Sequence, residues 1–225
     1  MSLSIPGFPH AKFDERSGFG YLVHYYPFDA VKKSNLSEDQ WRNQSYSPEV
    51  LNFKTGYPNY LRVFKAPFLK LIGHSLQQIG EMKALLVPIP SSIASGDPKF
   101  KKTPRQKGER RNRDDRNAVF CNELARGNTR LRVLDCIVRV GAKAEKETWT
   151  EAQHAKSMAM NTEMKLPRDD YSGVFVLMDD VATGGGTLKG ARKVLQTAFP
   201  NAKVIMLVLG LSRAPNKFEP IEPPS

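Results

Sequence analysis

Short apolar runs separated by polar, glycine- and proline-rich stretches set the pattern of the chain. The run Val174-Phe-Val-Leu-Met178 is uninterrupted, which predicts a strand buried on both faces in the middle of a parallel sheet. Two carboxylates, Asp179 and Asp180, stand where that strand is expected to end. Val181 and Ala182 follow, then Thr183-Gly-Gly-Gly-Thr187. Leu188, Ala191, Leu195 and Ala198 recur at helical spacing with Pro200 beyond them, which predicts a helix. Strand, acid pair, glycine turn and helix therefore follow one another without a break.

Upstream, the pattern from Leu51 to about Gly80 is helical. Phe68, Ile72, Leu76 and Ile79 share a face, Gly80 suits the position after the helix, and Pro67 places a helix start or a kink at that residue. Ala84 to Val87 reads as a strand that Pro88-Ile-Pro90 must end, leading into Ser91-Ser92. Leu131–Val140 predicts one further buried strand, Trp149 to Asn161 a polar helix capped by Thr150, and Val204–Leu209 the last strand of the sheet. Tyr21–Tyr26 has strand propensity after an irregular lead-in holding Pro6, Gly7, Pro9 and Gly18. Strands alternating with helices predict an α/β fold built on a parallel sheet of about five strands. The expected division is an N-terminal appendage or hood over 1–50, a main domain over 51–212 and a proline-rich, frayed tail over 213–225. Tyr21, Tyr25, Tyr26 and Trp41 are open to two readings, stacking on a base or packing, and packing is the commoner role of scattered aromatics.

A length of 225 residues suits one such domain. No apolar run approaches the ~18 residues of a membrane span, so no membrane partner is expected. The N-terminal Met-Ser-Leu-Ser-Ile-Pro-Gly lacks a basic flank and an apolar core, so secretion is not expected either. Cys121 and Cys136 read as buried free thiols of a reducing, cytoplasmic compartment. The 4 histidines and 2 cysteines suggest no metal centre by their spacing. The net charge of +11 and pI near 9.7 point to an anionic partner. Lys99 to Arg116 holds 9 basic residues against Glu109, Asp114 and Asp115, a net +6. Three readings stay open for it: an active-site lid, a nucleic-acid clamp, or a solvated charge run.

The chemistry of the central stretch is specific. Glycines let the backbone approach an anion, and free N–H groups at a helix N-terminus point at it. Thr183 and Thr187 add hydroxyls. Acids beside a phosphate site require something neutral or cationic, and ribose hydroxyls and magnesium meet that need. A Walker loop fails because Lys189 is followed by Gly190, and the dinucleotide fingerprint fails because Lys189 stands at its last glycine.

Asp179 to Thr187 resembles the phosphoribosyl pyrophosphate (PRPP) signature of type I phosphoribosyltransferases. Leu51-Asn-Phe-Lys-Thr-Gly56, the helix after it, and Val87-Pro-Ile-Pro90 are similar to the pattern of the ComF competence-protein family, as is, more weakly, the segment from Asn117 to Ala125. The resemblance covers roughly residues 50–212, with no counterpart of the family's Cys-rich zinc module. It implies a Rossmann-like phosphoribosyltransferase domain in which Asp179 and Asp180 orient the ribose, with or without a contact to Mg2+. Thr183, Gly184, Gly185, Gly186 and Thr187 would hold the 5′-phosphate. Thr183 would be catalytic with the acids, although some purine-specific relatives have an acidic base at that place. Gly184 stands where the family usually has Thr or Ser. Pro90, Ser91 and Ser92 would face pyrophosphate, and a flexible loop with Arg105, Lys107, Arg110, Arg111, Arg113 and Arg116 would close over it. Lys156 and Asn161 lie nearest to an Arg and an Asn of the family. The implied activity is Mg2+-dependent transfer between PRPP and a nitrogenous base with release of pyrophosphate, the ligand being PRPP or a nucleoside monophosphate. The alternative is a catalytically silent nucleotide sensor that binds nucleic acid, as a regulator or a retron-type defence component. No motif specifies the acceptor base or the oligomeric state.

Overall fold

The computed structural model describes residues 3–55, 59–91, 115–140, 149–161, 163–164, 166–168 and 170–221. Its strands are β1 (Lys12–Asp14), β2 (Phe19–Tyr25), β3 (Ala84–Pro88), β4 (Leu131–Val133), β5 (Ile137–Arg139), β6 (Met158–Met160), β7 (Val174–Ala182) and β8 (Lys203–Ser212). The helices are α1 (Phe28–Val31), α2 (Glu38–Asn43), α3 (Ser47–Thr55), α4 (Asn59–Gln78), α5 (Arg116–Ala125), α6 (Glu151–Lys156) and α7 (Gly186–Ala198). Six strands form one sheet in the order β1-β2-β8-β7-β3-β4, in which β1 is antiparallel to β2 and every other neighbouring pair is parallel. β5 and β6 form a separate antiparallel pair. The fold is thus α/β with a mostly parallel sheet.

The period-2 geometry of β7 explains why its sequence is apolar without alternation. Val174, Val176 and Met178 enter a core that takes in α4 and α5 through Phe64, Phe68, Leu71, Phe120 and Leu124. Phe175 and Leu177 enter a second core on the opposite face, closed by Leu188, Ala191 and Leu195 of α7. Because α5 follows β3 on one face and α7 follows β7 on the other, the chain reverses its winding between these adjacent strands. The crevice beyond their C-terminal ends is where open α/β sheets bind ligands.

Several expectations change. β2 lies inside the boundary drawn at residue 50, yet it is a parallel partner of β8, so 1–50 contributes strands to the central sheet as well as α1 and α2. α4 begins at Asn59 and carries Pro67 inside, so of the two readings for Pro67 the helix start falls. The polar helix expected over Trp149 to Asn161 ends at Lys156, and Met158–Met160 is β6, because it pairs with β5. Leu131–Val140 is two short strands in different sheets, because β4 pairs with β3 while β5 pairs with β6. β7 does not end at the acids but continues to Ala182, with Asp179 opposite Val208 of β8. Residues 213–221 are packed: a 3-10 turn at Pro215–Lys217 is followed by Phe218 against Tyr26, and Ile221 N–H donates to Gln44 O at 3.0 Å.

Tyr21, Tyr25, Tyr26 and Trp41 are all buried, which resolves them as packing residues. Trp41 Nε1–H donates to Tyr26 O at 2.8 Å. Cys121 and Cys136 are free and buried, and burial pushes the Cys136 thiol up to about 12. Among the described residues no helix is long and apolar enough to cross a membrane.

Candidate functional site at the end of the central strand

The turn after β7 is shaped by one glycine. Gly185 sits at φ 71°, in the left-handed region, and precedes the first residue of α7 without any side chain capping that helix. The backbone N–H groups at the start of α7 are therefore free to bind an anion. Thr183 and Gly184 are exposed, and Gly185, Gly186 and Thr187 are half-buried. All five line a cavity of about 620 Å³, together with Asp179, Trp149 and His154. His154 is buried beneath the loop, with Nδ1 3.4 Å from Thr187 Oγ1 and its ring edge-on to Trp149. Thr150 caps α6 through a reciprocal pair with Gln153, which sets the helix that presents His154.

The two acids have opposite environments. Asp179 is half-buried, and its Oδ1 accepts from Asn117 Nδ2 at 3.0 Å and from Asp180 N–H at 2.9 Å. Burial, and then the charge of Asp180, raises its pKa. Asp180 is 5% exposed, and its Oδ2 accepts from Arg116 Nε at 2.8 Å. Burial would raise Asp180 as well, but the charges of Arg116 and Lys54 outweigh it and hold the carboxyl below the usual carboxylate range. Asp180 is buried because β7 continues past it to Ala182.

The loop after β3 closes the other side. Asn117 Nδ2 also donates to Ile89 O at 3.0 Å, joining the start of α5 to that loop and to Asp179. Arg139 of β5 is buried; its Nε donates to Ser91 O at 3.0 Å and its Nη1 to Ser157 Oγ at 2.6 Å. Burial lowers the Arg139 pKa, and the charge of Asp179 opposes that shift. Pro90 and Ser91 are thus held by Arg139, and Ile89 just before them is joined to Asp179 through Asn117. Ser92, Arg105, Lys107, Arg110, Arg111 and Arg113 lie outside the described residues, whereas Arg116 is at the site.

Arg139 and the roles of Asn117 and His154 escaped the sequence reading. An arginine within the otherwise apolar run Cys136–Val140 was the available signal for Arg139. Neither Lys156 nor Asn161 lines the cavity; Asn161 instead donates its backbone N–H to Cys136 O.

Magnesium prefers several oxygen ligands. Asp180 Oδ1 accepts from Val181 N–H and its Oδ2 from Arg116, so both oxygens are engaged. Asp179 Oδ2 makes no hydrogen bond among the described residues, and it is the carboxylate oxygen that fits a metal or a hydroxyl. No protein-family model matches the chain, and no curated protein matches it.

Proposed function

We propose that the protein binds PRPP or a nucleoside 5′-monophosphate in this cavity and acts as a type I phosphoribosyltransferase of ComF-like kind. One observation carries the reading: Asp179 of the acid pair and an uncapped glycine-turn helix N-terminus line one cavity at the crevice where the sheet reverses its winding. The N–H groups of Gly186 and Thr187, with the hydroxyls of Thr183 and Thr187, bind the 5′-phosphate. Asp179 Oδ2 accepts a ribose hydroxyl, and Asp180 does so once Arg116 releases it. Pyrophosphate lies toward Pro90 and Ser91, on the side held by Arg139. A nitrogen lone pair of the acceptor forms the bond to ribose C1 as the C1–O bond breaks, and its electron pair leaves with pyrophosphate. The carboxylates favour the cationic ribosyl centre of that step. Where Asp179 Oδ2 faced Mg2+ rather than a ribose hydroxyl, it would hold the ion with the substrate's own oxygens, and the ion would supply charge neutralisation at the leaving group.

A binding-only role is the second reading, and the Arg116–Asp180 pair favours it, since a cation already satisfies one of the two acids. Calorimetry with PRPP and Mg2+, followed by a screen for pyrophosphate release with candidate bases, separates the two. Binding with release supports transfer, and binding without release supports a sensor. Undiminished PRPP binding by the Asp179→Asn, Asp180→Asn double variant would defeat both.

A further inference from the structure

Away from the cavity, three metal-ligand side chains from distant parts of the chain converge: His10 before β1, His24 in β2, and Glu219 after the 3-10 turn. One ligand atom from each lies within 4.8 Å of the others. Glu219 Oε2 is 3.1 Å from His24 Nδ1 and 3.5 Å from His10 Nδ1. Four ligands at zinc-like bond lengths stand ~3.3 Å apart along the edges of a tetrahedron, so both separations suit a shared ion.

The polar atoms here are poorly satisfied without one. His24 Nδ1 is buried and faces only the Glu219 carboxylate, and His10 Nε2 is buried without a hydrogen bond, so a turn of the His10 ring could bring either of its nitrogens to an ion. The other nitrogen of His24, Nε2, lies 3.4 Å from Tyr21 Oη. A proton on Nε2 donated to that hydroxyl leaves the Nδ1 lone pair facing Glu219, the arrangement that orients metal-bound histidines. The Glu219 backbone is fixed independently, its N–H donating to the buried Tyr26 Oη at 3.0 Å.

We propose that His10, His24 and Glu219 form a binding site for one divalent transition-metal ion of the zinc class, which clasps the segment after β8 to β2 and to the loop before β1. Two imidazole nitrogens and one carboxylate oxygen suit zinc better than magnesium or calcium, which take oxygen ligands. The two rings are stacked, 9° from parallel with centroids 4.4 Å apart, so one must turn for both lone pairs to converge. His10, with a side chain 17% exposed against 6% for His24, is the ring that turns. Glu219 is 58% exposed, so the ion enters from its side and keeps a position for water. The site is independent of the phosphate-loop reading.

The test uses the full chain, stripped with a chelator and titrated with zinc chloride and, in parallel, cobalt chloride. One equivalent of zinc should bind, excess magnesium should not displace it, and cobalt should give the visible absorption of a four-coordinate centre. Glu219→Gln, an exposed change that leaves the fold intact, and His10→Ala should each weaken zinc binding by more than the ~100-fold at the upper end for losing a supporting hydrogen bond around a metal. The Asp179→Asn, Asp180→Asn variant should bind zinc like the wild type. Absence of stoichiometric binding, or wild-type affinity in Glu219→Gln and His10→Ala, overturns the assignment.

Discussion

The two ends of the candidate site are built in different ways. The phosphate end is made by the chain from Thr183 to Thr187, and its donors are backbone groups that the turn itself orients. The acid end is made by residues far apart: Arg116 reaches Asp180 across 64 positions, and Asn117 reaches Asp179 across 62. One end stands open and uncapped, while the other is closed by a guanidinium and an amide. The difference separates two kinds of cost. Anion binding at the turn needs no protein bond broken, whereas full use of the acids requires Arg116 to leave Asp180.

Substituting the acid end should produce the largest effect. Asp180→Asn removes the carboxylate that accepts from the mostly buried Arg116 Nε. A loss of about 2–3 kcal/mol in stability is expected, below the ~3–5 of fully buried pairs because Arg116 keeps some contact with solvent. Urea unfolding measures it, and adding Arg116→Met should recover part of the loss. A variant as stable as the wild type would mean that the pair contributes nothing.

At the phosphate end, Gly185→Val forces a β-branched residue to φ 71°, which should cost about 1–3 kcal/mol. PRPP affinity should fall at least tenfold, as read by calorimetry. Retained affinity would move the phosphate away from this turn.

Asp179 should respond oppositely to Asp180. Burial first, and the Asp180 charge second, raise its folded pKa, so the folded chain holds a proton that the unfolded chain has lost. The stability this group contributes is fully present below about pH 4 and is lost as pH rises through the folded pKa. Asp179→Asn should therefore be more stable than the wild type near neutral pH, by about 1 kcal/mol, with the advantage vanishing in acid. Thermal unfolding across that pH range tests it; a variant destabilised at neutral pH would contradict the raised pKa.

The smallest effect is expected at Gly184. Its φ is not positive, and a Cβ there would meet no atom within 4 Å, so a side chain fits without strain. Gly184→Thr should leave stability within about 0.5 kcal/mol. It should tighten PRPP binding by roughly 2- to 10-fold, the worth of one added hydrogen bond. Unchanged affinity would show that this position does not face the phosphate.

What the sequence determined by itself was local. The apolar run of β7, the acid pair, the glycine turn and the helix after it were legible because their conformations depend on residues that are neighbours along the chain. Thr150 as the cap of α6 and Gly80 beyond the end of α4 were legible for the same reason. Tertiary structure alone decided the partners. Periodicity marks which face of an element is buried but not what it is buried against, so β2 read as part of an appendage although its register with β8 makes it a strand of the sheet. Arg139 was hidden because its carbonyl partners at Ser91 and Pro90 lie 48 and 49 residues upstream. The burial of Asp180 was hidden because strand length depends on the neighbouring strand, and β8 extends far enough to carry β7 past both acids. His10, His24 and Glu219 span nearly the whole chain, and only the packing of residues 213–221 onto β2 brings them together.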